Sequence, residues 1–342
     1  MNMAAFIHGV RDIRIGEHCA PVVADGSVLV DVMAVGVCGS DLHYYKDGGI
    51  GGAVIREPFV PGHEFSARLC NDVEHLSLRR GDLVAVDPAT PCHRCEWCAK
   101  GHHNLCPNVV FLGAPPYNGG LTHQIAVRHD SLFALPADMT PDQGAMLEPL
   151  GVCIHAIDLA RPRLLESVAV VGCGPIGLGI IQLLKLAGVG QIIAIDPQAH
   201  RTQMALTQGA THVGSGTDAV LDCADGLGCH LVIEATNSPD GFADAIKVSR
   251  IGGRVVLVGI PDGDAYSPIT AAEARRRGLS VKFSRRMGEV YPRAIELVSN
   301  NKVDVDVLVS HHFDLDGTPE AFQIQADEQV GFIKAIVCPS GV

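Results

Sequence analysis

The chain has 342 residues, 47% of them hydrophobic and 19% charged, a size and balance that imply two globular domains and exclude a disordered protein. A net charge of −12 opposes a phosphate backbone, and the only dense basic stretches are Arg275-Arg276-Arg277 and Arg285-Arg286, so nucleic acid is not expected as a partner. No apolar run reaches the roughly 18 residues of a membrane span. The amino-terminal MNMAAFIHGVRDIRIGEH lacks the features of a secretory leader, so the expected compartment is the cytoplasm.

From Met1 to about Leu135, short Val-containing runs such as SVLVDVMAVGV and DLVAVDP alternate with Gly, Pro and Asp turn signals, which predicts a mainly β region. Within it lies PCHRCEWCAKGHHNLCP. Here Cys92, Cys95, Cys98 and Cys106 form C-x2-C-x2-C-x7-C, and four thiolates at about 2.3 Å complete a tetrahedral zinc shell with no open position. Such a site is structural.

From about Val168 the rhythm changes to strand, helix, strand. SVAVVG, PIGLGIIQLLKLAG, QIIAID, HLVIEAT and RVVLVGI read as a parallel sheet covered by helices. Over 176–187, Ile176, Ile180, Leu183, Leu184 and Ala187 recur at helical spacing and give that helix one apolar face. After about Arg285 the pattern is mixed, with a helix predicted at YPRAIELVSNN. One reading has the chain return there to the first domain.

The sequence Gly172-Cys173-Gly174-Pro175-Ile176-Gly177 is G-x-G-x-x-G, placed between a predicted strand and a predicted helix. Gly172 permits the tight turn, Gly174 lets the backbone approach a pyrophosphate, and Gly177 allows helix to pack on strand. The pyrophosphate then sits at the positive helix end. Asp196, closing the next strand, would accept hydrogen bonds from the adenosine ribose and repel a 2′-phosphate, favouring NAD over NADP. Arg201 lies near enough in sequence to blur that preference.

Three further segments carry ligand types: GVCGSDLHYY, PGHEF and LEPLGVCIHA. A catalytic zinc takes three protein ligands from distant loops and keeps one position for water or substrate. Cys38, His63 and a carboxylate supply such a set.

Together, Cys38 through His43, Gly62-His63-Glu64, the four-cysteine lobe and Glu148-Pro149-Leu150 resemble the zinc-dependent medium-chain dehydrogenase/reductases, in the sorbitol and L-idonate dehydrogenase branch. The most specific stretch is CGSDLHYYKDGGIG followed by PFVPGHEF. The resemblance implies that Cys38 and His63 bind a catalytic zinc, with Glu64 or Glu148 as the carboxylate, directly or through water, and Cys153 as a fallback ligand. It implies a proton relay through Ser40 and His43, or through a bound water and Glu64. Val258, Gly259 and Ile260 should lie near the nicotinamide, with Tyr44, Phe111 and Arg286 contacting substrate.

The implied fold is α/β: a β-rich GroES-like catalytic domain from residues 1–150 and 286–342, and a Rossmann doubly wound parallel sheet at 151–285, with the active site in the cleft between them. The implied enzyme carries two zinc ions and uses NAD to oxidise a secondary alcohol of a polyol or sugar acid, as a homodimer or homotetramer. Alternatives are a related dehydrogenase acting on threonine, an aldose or a simple alcohol, and a catalytically silent NAD-binding protein.

Overall fold

A computed structural model of the chain describes residues 1–341. The chain divides into two compact units, residues 1–149 with 291–342, and residues 150–290. The first unit resumes at Tyr291 rather than at residue 286, because Met287 and Val290 pack on Gly151 of the second.

The first unit is built on a seven-stranded sheet. Its main path runs Leu132–Ala134, Leu83–Val86, Glu64–Leu69, Ser27–Gly36, Ala335–Cys338 and His311–Asp314, and Gln124–Arg128 also pairs with Ser27–Gly36. The late strand Ala335–Cys338 pairs antiparallel with Ser27–Gly36 through Ile336↔Gly36 and Val337↔Val35, so the carboxy-terminal segment belongs to this sheet. The alternation of Val28, Val30 and Val32 inward along Ser27–Gly36, resumed by Val35 after a bulge, supplies one face of the core, which Phe59, Phe65, Leu121 and Phe322 fill. Opposite Gly36 stands Glu64, and a Cβ on Gly36 would strike its carboxylate.

The second unit holds six strands in the order His212–Gly214, Gln191–Ile195, Ser167–Val171, Cys229–Glu234, Ser249–Leu257 and Ser280–Phe283. Every pairing is parallel. The strands are buried on both faces, which explains why they read as continuous runs such as VAVV and IIAI rather than alternating ones. The strand order reverses between Ser167–Val171 and Cys229–Glu234, the doubly wound arrangement that opens a crevice at the carboxyl ends of those two strands. Helices expected from periodicity form at Pro175–Leu186 and, in the first unit, at Tyr291–Ser299. Among the described residues no helix is long and apolar enough to cross a membrane.

Candidate functional site

Cys38 stands at the mouth of the helix Gly39–Asp47 and His63 just before the strand Glu64–Leu69. One carboxylate ties them. Asp41, fully buried, accepts the Cys38 N–H on Oδ2 at 3.0 Å, while its Oδ1 faces the Gly62 N–H at 3.4 Å and His63 Nδ1 at 3.4 Å. Gly62 adopts φ 92°, and a Cβ there would lie 2.8 Å from Val35 Cγ1, so only glycine lets the loop bring His63 to this position.

Ligand atoms of Cys38, His63 and Glu64 lie within 4.8 Å of one another, a spread that donors about 2.0–2.3 Å from a common zinc can close by small side-chain adjustment. Two of these residues carry buried atoms without a well-formed hydrogen bond: His63 Nδ1, which stands 3.4 Å from Asp41 Oδ1, and Glu64 Oε2, whose neighbour is the Lys334 ammonium. Sulfur, imidazole and carboxylate form a donor set suited to zinc, with room for a fourth ligand.

Electrostatics at this site are dominated by burial. It opposes a His63 cation, but the Asp41 and Cys38 charges outweigh it and hold the imidazole pKa well above its ordinary value. Burial also works against the Lys334 cation, and Glu64 and Cys38 overcome it, holding its pKa up. Glu148, in the helix Pro141–Ala160, lies outside the three-residue group; burial first, with the Glu64 charge adding, pushes its carboxyl up to about 8 against the pull of His63.

The remaining sequence candidates are distributed as follows. Ser40 Oγ is 3.5 Å from His63 Nε2, and the Phe111 ring centroid is 5.3 Å from that of His63. His43 is buried, with Nδ1 3.2 Å from Asp47 Oδ2. Tyr44 is also buried, its ring edge on Phe59. Arg286 belongs to the second unit, half-buried with φ 52°. Cys153 packs its sulfur toward Gly179 and directs it at the Ile176 carbonyl at 3.4 Å, a buried thiol against the glycine-motif helix rather than a member of the three-residue group.

The four-cysteine lobe gathers Cys92, Cys95, Cys98 and Cys106 with their sulfurs within 4.8 Å of one another, at 3.4 Å for Cys95 to Cys98 and 3.9 Å for Cys95 to Cys106. A tetrahedral zinc–thiolate shell needs sulfurs about 3.8 Å apart, so the lobe fits that ion. Main-chain N–H groups point at the sulfurs, Cys92 N to Cys106 Sγ at 3.3 Å and Cys98 N to Cys95 Sγ at 3.5 Å. The Arg94 N–H pulls the Cys92 thiol down to about 6, whereas burial pushes the neighbouring Cys98 thiol up to about 12.

In the second unit the glycine motif forms a tight turn between the strand Ser167–Val171 and the helix Pro175–Leu186. Gly172, at φ 96°, touches the next loop so closely that a Cβ would lie 2.7 Å from the Ala235 carbonyl, whereas a Cβ on Gly174 would meet nothing within 4 Å. That open side at the mouth of the helix Pro175–Leu186 is where a pyrophosphate can reach the backbone. Pro175 begins the helix, Ile176 follows it, and Gly177 sits against the Gly172 carbonyl. Asp196 follows the strand Gln191–Ile195 and accepts the Cys173 N–H on Oδ2 and the Gln198 N–H on Oδ1, both at 2.9 Å, with Arg201 Nη1 at 3.9 Å. Val258, Gly259 and Ile260 follow the strand Ser249–Leu257 at the carboxyl end of the sheet, with Ile260 exposed.

Asp41 and Lys334 are the residues that sequence reasoning missed. Asp41 had a signal, an acid three positions after the residue that opens a helix. For Lys334 no local pattern exists, since its partner lies at the other end of the chain.

Two family models match the chain. Residues 24–137 match the alcohol dehydrogenase GroES-like domain and residues 175–300 the model described as zinc-binding dehydrogenase. A sorbitol dehydrogenase of Bacillus subtilis (strain 168) is 32% identical over 345 residues, covering 98% of this chain and 97% of that one. The crystal structure of L-idonate 5-dehydrogenase from Escherichia coli K-12 superposes with a TM-score of 0.90 at 25% identity, covering 98% of each chain. A structure from Escherichia coli CFT073 described as a short chain alcohol dehydrogenase complexed with NADH gives 0.88 at 27% identity, covering 98% of this chain and 99% of that one.

Proposed function

Because the chain belongs to the zinc-binding dehydrogenase family, we propose that it transfers hydride between a secondary alcohol of a polyol or sugar acid and NAD, giving a ketose or keto acid. The observation that carries this reading is the open donor set of Cys38, His63 and Glu64, three ligand atoms within 4.8 Å, in a chain that also forms a glycine-motif crevice. Zinc bound there would supply Lewis-acid polarisation of the carbinol oxygen, and NAD would supply the hydride acceptor.

The chain's own residues do the rest. Cys38, His63 and Glu64 hold the metal, and Asp41 fixes the orientation of His63 by facing its far nitrogen. Ser40, whose hydroxyl stands beside His63, receives the proton that leaves the substrate, with His43 as the onward group; Glu148, whose carboxyl burial pushes up, is the alternative carboxylate for the metal, directly or through water. Phe111 forms an apolar wall over His63. Tyr44 and Arg286 are assigned to the substrate, Arg286 as partner to a sugar-acid carboxylate. Asp196 and the backbone of Gly172, Gly174, Pro175, Ile176 and Gly177 hold NAD, with Arg201, Val258, Gly259 and Ile260 lining its site. The four-cysteine lobe holds a second, structural zinc.

The names of the relatives support the polyol and sugar-acid choice. A cytoplasmic homodimer or homotetramer completes the reading, and twelve cysteines without a disulfide suit a reducing compartment. A panel of polyols, sugar acids and amino alcohols offered with NAD tests it. Turnover confined to simple alcohols or threonine would refute the substrate class, and no turnover with a full metal complement would favour a silent binder.

A further inference from the structure

Glu234 closes the strand Cys229–Glu234 at its carboxyl end and is fully buried. Three donors converge on its carboxylate: the Thr236 N–H at 2.7 Å and the Thr236 hydroxyl at 2.6 Å on Oε1, and the Gly259 N–H at 3.3 Å on Oε2. An ionised carboxylate is an acceptor only, so this is the complement of the charged form. Burial pushes its pKa above the ordinary 4.5 and these donors pull it only part of the way back, with no cation contributing among the described residues. Space is reserved for the group as well, since a Cβ on Gly241 or Gly259 would lie 2.7 or 2.6 Å from Oε1.

The position of this charge gives it a role. A dinucleotide spans the crevice where the strand order reverses, and Asp196, after the strand Gln191–Ile195, marks the adenosine side. The nicotinamide half would then belong to the other side of the reversal, where Cys229–Glu234 and Ser249–Leu257 end. That half carries a positive charge when oxidised and none when reduced. A buried anion without a counter-cation is poorly screened and interacts differently with the two.

We propose that Glu234 is a fixed negative charge that biases the dinucleotide site toward the oxidised cofactor, so that the ratio of the NAD+ and NADH dissociation constants depends on it. The proposal rests on the dinucleotide-binding reading above. A structural role alone, holding the Thr236 and Gly259 loops in place, would change both affinities together, so the ratio separates the two.

The experiment is calorimetric titration of the zinc-loaded protein with NAD+ and with NADH, without substrate, for the wild type, Glu234→Gln and Glu234→Asp. Glu234→Gln is expected to raise Kd for NAD+ relative to NADH about three- to ten-fold, while Glu234→Asp keeps the wild-type ratio within about two-fold. Equal changes in both constants, or none, overturn the proposal. Should Glu234→Gln fail to fold, Thr236→Val removes a donor to the carboxylate, favours its protonated form and is expected to move the ratio the same way; an unmoved ratio there is equally adverse. A wild-type protein that binds neither cofactor would refute the dinucleotide reading itself, an outcome distinct from an unmoved ratio.

Discussion

Lys334 and Glu64 form an ion pair with both side chains out of water, 3% and 1% exposed. Glu64 opens one strand and Lys334 immediately precedes another, and both strands flank Ser27–Gly36, so the pair clasps the early and late parts of the first unit beside the donor set. Removing one member leaves the other charge buried and uncompensated, at a cost of about 3–5 kcal/mol. Lys334→Met is therefore expected to lose about that much unfolding free energy in urea, and Lys334→Met combined with Glu64→Gln to recover most of it. A single variant as stable as the wild type would show that the pair contributes nothing.

Asp41 touches both the Cys38 backbone and the far side of His63. Groups in that position commonly set metal affinity by a factor of about 10–100. Asp41→Asn should weaken zinc at the open site to that extent in a chelator competition titration, while the four-cysteine lobe keeps its ion. Parallel loss of both ions would mean that the substitution had disturbed the whole unit.

What the sequence disclosed and what it withheld follow from range. The four-cysteine lobe and the glycine motif are local, with ligands or turns a few residues apart, so spacing alone encodes them. Cys38 and His63 were legible because each sits in a short, distinctive loop. The choice between Glu64 and Glu148 was not, because it depends on how a strand start and the middle of a helix approach each other; the geometry groups Glu64 with Cys38 and His63. Lys334 was invisible for the same reason, and so was Glu234, whose partners Thr236 and Gly259 come from two different strand ends.

Cys38 contributes the only thiol of the open group, and the glycine motif lies in the other unit. Cys38→Ser should abolish turnover and reduce bound zinc from about two per chain to about one, with NAD affinity changed less than about two-fold. Metal analysis and calorimetry read the two effects separately. Undiminished turnover would remove Cys38 from the chemistry.

Asp196, assigned here to the ribose, also serves the protein, since its Oδ2 holds the Cys173 N–H. Asp196→Ala removes the charge that repels a 2′-phosphate and releases Arg201, whose Nε has no hydrogen-bond partner. The ratio of kcat/KM for NADP over NAD is expected to rise about tenfold or more, through loss with NAD and gain with NADP. An unmoved ratio would assign the preference elsewhere.

The pair Arg254–Glu166 gives a pH-dependent test of the second unit. Arg254 donates to Glu166 through Nη1 at 3.0 Å and Nη2 at 2.6 Å, with side chains 25% and 11% exposed. Burial opposes the Glu166 charge, but the Arg254 donors and the Arg163 N–H overcome it and hold the carboxyl below its ordinary value of 4.5. A folded-state pKa lowered in this way adds stability above the unfolded value, and that stability is lost as pH falls through the folded one. Glu166→Gln should accordingly cost about 1–2 kcal/mol near neutrality, a figure kept small because the pair is partly solvated. The gap between variant and wild type should narrow as pH drops below 4.5. Denaturation curves across that range decide it: a gap that stayed constant would assign the cost to lost packing rather than to the charge.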